Sequence, residues 1–286
     1  MAMKLVFCIL ALIATPALAV SSSQIKAALD GFWNVDYNRA YAGSDFHISK
    51  QSTTTSSSTS DKSSQPLFQY VNENKIFARP TYAKYIALMD NYVHCTGTTE
   101  NYSNNEVNEI WAFLDEIMKT QVMKDAHSFL VSHGLASSNV ATFKDELYEI
   151  WFEPYQRKVS GDTSGFEHVF VGELKCSSSV TGFHSWIQFY LEEKANNLNY
   201  HGYIGTYPKN TPRVLTLQFK WYNMIKKIGG GFIGTSPEYD FAVYSTCFIA
   251  TGGGKCSMYV DQLNLNIQTW KNTGTGRVAS AYPIVL

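Results

Sequence analysis

Ser164-Gly165-Phe166-Glu167-His168-Val169-Phe170-Val171-Gly172-Glu173, followed after a short polar loop by Gly182-Phe183-His184-Ser185-Trp186, decides how the rest of the chain is read. Residues 166–171 are apolar and β-prone, which predicts a mostly buried strand carrying Glu167 and His168. Phe183, Trp186, Ile187, Tyr190 and Leu191 fall at i, i+3, i+4, i+7 and i+8, one face of a helix. That helix is expected to start near Thr181 or Gly182, with His184 in its first turn. A helix N-terminus disfavours positive charge, so His184 is expected to be neutral and able to accept a proton. Glu167 and Glu173 neighbour His168 and favour its imidazolium, which can donate one. A base and an acid side by side near neutral pH form a proton-transfer pair. Taken singly, a histidine on an apolar strand is more often a satisfied core residue.

The chain has 286 residues, an aromatic content of 14% and a formal net charge of −1. A substantial core can form, and the charge argues against a broad basic surface, so any nucleic-acid contact is expected to be local. Residues 1–19 read as a secretory leader: a short positive start, an apolar run and Ala17-Leu18-Ala19 as the cleavage pattern. The expected location is therefore extracellular or the lumen of the secretory pathway. No later stretch is long and apolar enough to span a bilayer. Beyond the leader stand Cys95, Cys176, Cys247 and Cys256, an even number suited to an oxidising compartment. Three pairings are open; the turn-like Ala-Thr-Gly-Gly-Gly-Lys between Cys247 and Cys256 favours joining these two, leaving Cys95 with Cys176. Asn101-Tyr102-Ser103 is an N-glycosylation sequon.

Helical periodicity is expected over residues 21–33, 66–77, 81–92, 105–119, 121–132 and 140–152, with Gly134 as a C-cap. The Ser/Thr tract at 52–60 reads as a loop. His94, His127 and His133 lie in this half without a partner motif and are expected to be structural or surface residues. After Pro154 strands dominate: residues 214–221 alternate cleanly, and 263–270 with 277–286 form a terminal hairpin around Gly274-Thr275-Gly276. Ser236-Pro237-Glu238 can start a helix, yet Tyr239, Phe241 and Val243 alternate as in a strand, so both assignments stay open there. Gly229, Gly231 and Gly234 match GxGxxG, but no βαβ unit surrounds them and a dinucleotide site is rejected. The expected fold class is α+β: residues 20–152 mostly helical, residues 153–286 β-rich.

Several motifs, in order, resemble the EndoU (XendoU, placental protein 11) family of endoribonucleases over nearly all of the chain past the leader. They are the segment Trp33 to Arg39, Leu88-Met89-Asp90-Asn91-Tyr92, Trp151-Phe152-Glu153-Pro154-Tyr155 with Arg157, and Ser164 to Glu173. Gly182-Phe183-His184, Phe232-Ile233-Gly234, Ser236-Pro237-Glu238 and Ser280-Ala281-Tyr282-Pro283 follow. The resemblance implies a two-sheet antiparallel catalytic half preceded by helices. It also implies cleavage of single-stranded RNA at uridines by 2′-hydroxyl attack, leaving a 2′,3′-cyclic phosphate and a 5′-hydroxyl. It places the catalytic groups at His168, His184 and Lys226, the last in preference to adjoining Lys227, with His184 as base and His168 as acid. Glu167 and Glu173 are implied as orienting groups and Tyr282 as a residue lying against substrate sugar or base. A divalent cation, Mn²⁺ or Ca²⁺, is implied without nameable ligands. Uridine-containing single-stranded RNA is the expected partner, with no membrane partner and a monomeric chain.

The sequence departs from the family pattern in places. Gly230 and Gly231 stand where many members carry serine, which can help recognise uracil, so strictness towards uridine is expected to be looser. Asn34 replaces a common Asp and Ser185 a usual Asn. A non-catalytic RNA-binding or signalling module of the same fold is the competing expectation, disfavoured by the presence of both histidines and the lysine. A serine hydrolase ranks last, since no GxSxG motif occurs.

Overall fold

The computed structural model describes residues 20–175 and 178–285. The leader expected at 1–19 and the expected Cys176 pairing lie outside the described residues, although Cys95 is itself disulfide-bonded. The elements in order are α1 (Ser22–Asn34), β1 (Phe46–Ile48), β2 (Phe68–Val71), α2 (Glu73–Ile76), α3 (Pro80–Ile86), α4 (Asn104–Ile117), α5 (Gln121–Ser132) and α6 (Val140–Trp151). A π-helical turn, Glu167–Val171, follows. The second half holds β3 (Glu173–Lys175), β4 (Ser179–Thr181), α7 (Trp186–Lys194), β5 (Leu198–Tyr207), β6 (Val214–Trp221), β7 (Met224–Phe232), α8 (Pro237–Thr251), β8 (Lys255–Val260), β9 (Leu263–Lys271) and β10 (Val278–Val285). The expected α+β order holds, with two three-stranded antiparallel sheets, β5-β6-β7 and β8-β9-β10.

The helices begin where capping chemistry says they should. Ser21 and Ser103 each close a capping box with the side chain three residues on. Thr120 and Asn139 cap α5 and α6, and Gly134, at φ +68°, follows the end of α5 as expected.

Two assignments are corrected and one that stood open is settled. Residues 66–77 are not one helix: Phe68–Val71 pairs with β1, and only Glu73–Ile76 is helical. The reason is tertiary, because the buried Glu193 carboxylate of α7 accepts the Leu67 and Phe68 amides at 2.6 and 2.9 Å. The helix expected over 81–92 stops at Ile86. The ambiguous segment after Ser236 is helix α8, capped by Ser236 with Pro237 in its first turn and buried from Pro237 to Phe248. A helix buried all round carries no amphipathic stripe to read. Cys247 near its end is joined to Cys256 on β8, the favoured pairing.

One hydrophobic core runs through both halves. Phe166 stacks on Phe152 at 4.8 Å between ring centroids, and Phe170 packs tilted against Trp151 at 5.4 Å. Helix α6 thus forms the floor under the π-helical turn that carries His168.

Candidate active site

The stretch expected to be a strand is helical. Ser164 accepts the Glu167 amide on its hydroxyl at 3.1 Å, and the Ser164 amide donates to the Glu167 carboxylate at 3.3 Å. This is a capping box, and Ser164-x-x-Glu167 was its signal in the sequence. The turn then widens: the His168 amide reaches Ser164 O, four residues back, whereas the Gly172 amide reaches Glu167 O, five back. Gly172 ends it at φ +96°. The apolar density of residues 166–171 reflects complete burial rather than β geometry. Such π turns are rare and concentrate at functional sites.

His184 is also displaced from its expected position. Helix α7 starts at Trp186 with Ser185 as N-cap, so His184 lies just outside the helix. The β3–β4 hairpin, which pairs Glu173 with Thr181, delivers the chain to this point. There the Phe183 amide donates to His168 O at 2.9 Å and the His184 amide to Val169 O at 2.7 Å. These bonds pin the two histidine-bearing segments together. The approach is close enough that a Cβ on Gly182 would sit 1.7 Å from His168 O, and Gly182 has φ +62°. Only glycine fits.

Both rings are anchored through Nδ1. His184 Nδ1 donates to Gly230 O at 2.6 Å, and a carbonyl can only accept, so its proton is on Nδ1 and Nε2 carries the free lone pair. His168 Nδ1 donates to Glu173 Oε2 at 2.6 Å. Burial and, next, Lys226 hold His184 well below the usual imidazole range. The expected direction stands for His184, but the cause is desolvation and a neighbouring cation rather than a helix terminus. For His168 the expectation of a resting imidazolium is corrected: burial lowers its pKa and outweighs Glu173, which raises it. Burial also pushes Glu173 up, but His168, Arg157 and Thr163 together hold it below the usual carboxylate range.

His168, His184, Lys226 and Tyr282 line one cleft of about 480 Å³, together with Thr181, Tyr207, Gly230 and Ser280. Lys226 lies on β7, and the strand's alternation turns it into the cleft while Lys227 faces solvent. Burial pulls its ammonium down to about 8. The run Gly229–Gly231 lies inside β7 rather than in a loop. A Cβ on Gly231 would come within 2.2 Å of His184 O, so no serine fits there as the chain stands. Gly230 is tight but less so, at 3.0 Å from Leu215 O. Tyr282 on β10 stacks on His184 with centroids 5.1 Å apart.

Glu167 is the residue not brought to the histidines. It caps its own turn, and burial with Glu173 nearby raises its pKa well above the carboxylate range. Two contributors were missed as such. Thr163 donates to Glu173 Oε1, and the Arg157 guanidinium stands 3.4 Å from the same oxygen. No sequence spacing connects either to Glu173. His94, His127 and His133 pack against aromatic rings outside the cleft, as expected of structural residues. Among the described residues, no group of three or more His, Cys, Asp or Glu side chains is arranged to hold a metal ion. No helix among them is long and apolar enough to cross a membrane.

Residues 24–283 match the family model described as endoribonuclease XendoU. The chain is 42% identical over 277 residues to uridylate-specific endoribonuclease D of Xenopus laevis, spanning 93% of this chain and 90% of the relative. It is 39% identical over 274 residues to the poly(U)-specific endoribonuclease of Xenopus tropicalis, spanning 92% and 94%. A solved structure of XendoU, described as a splicing-independent snoRNA-processing endoribonuclease, superposes with a TM-score of 0.78 at 38% identity, over 92% of this chain and 97% of that one.

Proposed function

The chain belongs to the XendoU family of endoribonucleases, and from that premise we propose that it cleaves single-stranded RNA, preferring uridine, by attack of the 2′-hydroxyl on the adjacent phosphodiester. The products are a 2′,3′-cyclic phosphate and a 5′-hydroxyl. The observation that carries the mechanism is the convergence of two Nδ1-anchored imidazoles and a partly desolvated lysine on one cleft.

His184 Nε2, neutral and unprotonated, takes the 2′-hydroxyl proton. The oxygen attacks phosphorus, and the phosphorus–5′-oxygen bond breaks as His168 Nε2 gives its proton to that oxygen. The buried His168 rests mostly neutral, but an arriving phosphodiester anion supplies opposite charge and raises its pKa. Glu173 then faces the imidazolium and stabilises it. Lys226 places its ammonium where negative charge grows on the phosphoryl oxygens. Tyr282, stacked on His184, holds the base or sugar of the nucleotide beside it. DNA lacks the nucleophile and is not cut by this route.

A divalent cation, Mn²⁺ or Ca²⁺, is proposed to act on the fold or on the RNA, and no proton transfer above is routed through it. Secretion is proposed on the leader-like residues 1–19 and on the Cys247–Cys256 disulfide, which suits an oxidising compartment.

The test is digestion of a short single-stranded RNA carrying one uridine, with EDTA, Mn²⁺ or Ca²⁺, and mass spectrometry of the ends. A cyclic phosphate after uridine, lost in His184→Ala, is expected. Folded protein that binds this RNA but cuts it under no condition would instead mark a binding module.

A further inference from the structure

Beside the catalytic cleft lies a second pocket of about 340 Å³, lined by Thr96, Arg157, Lys158, Lys175, Ser178 and Thr181. Thr181 lines both cavities. The lining holds three cationic side chains and three hydroxyls, and no carboxylate. In a chain of net charge −1 this is a local concentration of positive charge, not the reflection of a basic protein.

One side of the pocket is held in place by hydrogen bonds. The buried Asp162 carboxylate accepts the backbone amides of Arg157, Lys158 and Val159 at 2.7, 2.9 and 3.0 Å, and that of Gly97 at 3.0 Å. Asp162 thus spends its charge on amides and holds the loop that presents Arg157 and Lys158. Lys175 stands on β3, two residues beyond Glu173. Neither Lys158 nor Lys175 takes part in an ion pair among the described residues. Arg157 reaches the other way, to the Tyr155 hydroxyl at 2.8 Å and to the Glu173 carboxylate that holds His168. Lys175 is close enough to Lys226 to help depress its pKa, so the pocket lies within electrostatic reach of the reacting phosphate.

We propose that this pocket is a second RNA subsite, holding a backbone phosphate that neighbours the scissile one, with Lys158 and Lys175 as its cations and the Thr181 hydroxyl as a donor. The proposal rests on the RNA-cleavage reading above. A phosphate held there sets the register of the strand without reading its sequence. The enzyme then prefers RNA extending beyond the cleaved dinucleotide.

The test compares a uridine dinucleotide with a pentanucleotide containing one ribouridine among deoxynucleotides, so that each has a single cleavable bond. The expected advantage of the pentanucleotide in kcat/KM is about tenfold, carried by KM, as for one charge-assisted phosphate contact. A neutral methylphosphonate at one linkage next to the scissile bond should erase that advantage. The Lys158→Ala/Lys175→Ala variant should bring the pentanucleotide-to-dinucleotide ratio near unity, lower the salt slope of RNA binding by roughly one, and gain nothing further from the methylphosphonate. Lys158→Arg/Lys175→Arg should restore the ratio. A variant with an unchanged ratio, or a wild type without length preference, would overturn the subsite while leaving RNA cleavage standing. A wild type that cuts neither substrate would overturn the cleavage reading itself, and the subsite with it.

Discussion

Lys226 gives the sharpest prediction. Its ammonium is pulled down to about 8 by burial, with Lys175 adding to the effect against Glu173. At pH 7 charged lysine outnumbers neutral by about ten to one, and at pH 9 the ratio is reversed. If the cation stabilises the phosphoryl oxygens, kcat/KM should bend near pH 8 and then fall about tenfold per pH unit. Lys226→Ala should lose on the order of 10²–10³-fold, the usual loss for a preorganised electrostatic group. Lys226→Arg separates charge from basicity: a guanidinium stays protonated, so the alkaline bend should leave the accessible range even if the plateau drops. The assay is kcat/KM on a single-uridine RNA from pH 5 to 10, with circular dichroism at each pH to show an intact fold. An alkaline bend that stays near 8 in Lys226→Arg would refute the assignment, as would a loss of less than tenfold in Lys226→Ala.

Other tests follow from the same geometry. Glu173→Gln removes the carboxylate 2.6 Å from His168, so activity should fall roughly 10–100-fold, the value of a buried hydrogen bond to a charged group. Because Glu173 is the group that raises the His168 pKa, the same variant should shift its titration to lower pH, read by NMR of the imidazole. Gly231→Ala drives a Cβ to 2.2 Å from His184 O and should cost about 1–3 kcal/mol in chemical denaturation and more than tenfold in kcat, whereas Gly230→Ala should do less on both measures. Asp36, buried and next to Glu238, has its pKa raised to about 7. A raised folded-state pKa contributes stability that is fully present below the unfolded value of about 4 and is lost as pH rises through the folded one. Asp36→Asn should therefore gain in melting temperature relative to wild type between pH 5 and pH 8; an equal offset at both would argue against a buried proton there. Replacing Cys247 and Cys256 by serine opens a loop with a sequence separation of 9 and should lower stability by about 2.5 kcal/mol under non-reducing conditions.

What the sequence by itself determined is local and periodic. Helices α4, α5 and α6 could be read because each buries one stripe and starts at a capping side chain. Strand β6 and the β9–β10 hairpin were legible from alternation and turn residues. His168, His184, Lys226, Glu173 and Tyr282 could be picked out through the family resemblance, and the structure brings all of them to one place. Tertiary structure decided the rest. Full burial erased the period in residues 167–171 and in α8, so composition suggested strand in the first and left helix and strand open in the second, where the backbone of both is helical. Pairing with β1, with the Glu193 carboxylate of α7 on the Leu67 and Phe68 amides, made residues 68–71 a strand. The protonation of His168 also escaped the sequence, as did the cause of the low His184 pKa. Local charge suggested an imidazolium at 168, but desolvation dominates at both positions, and burial is set by segments arriving from far along the chain. The cleft itself joins a π turn, a linker, a sheet strand and the last hairpin, and proximity between elements so distant in sequence leaves no periodic mark on any one of them.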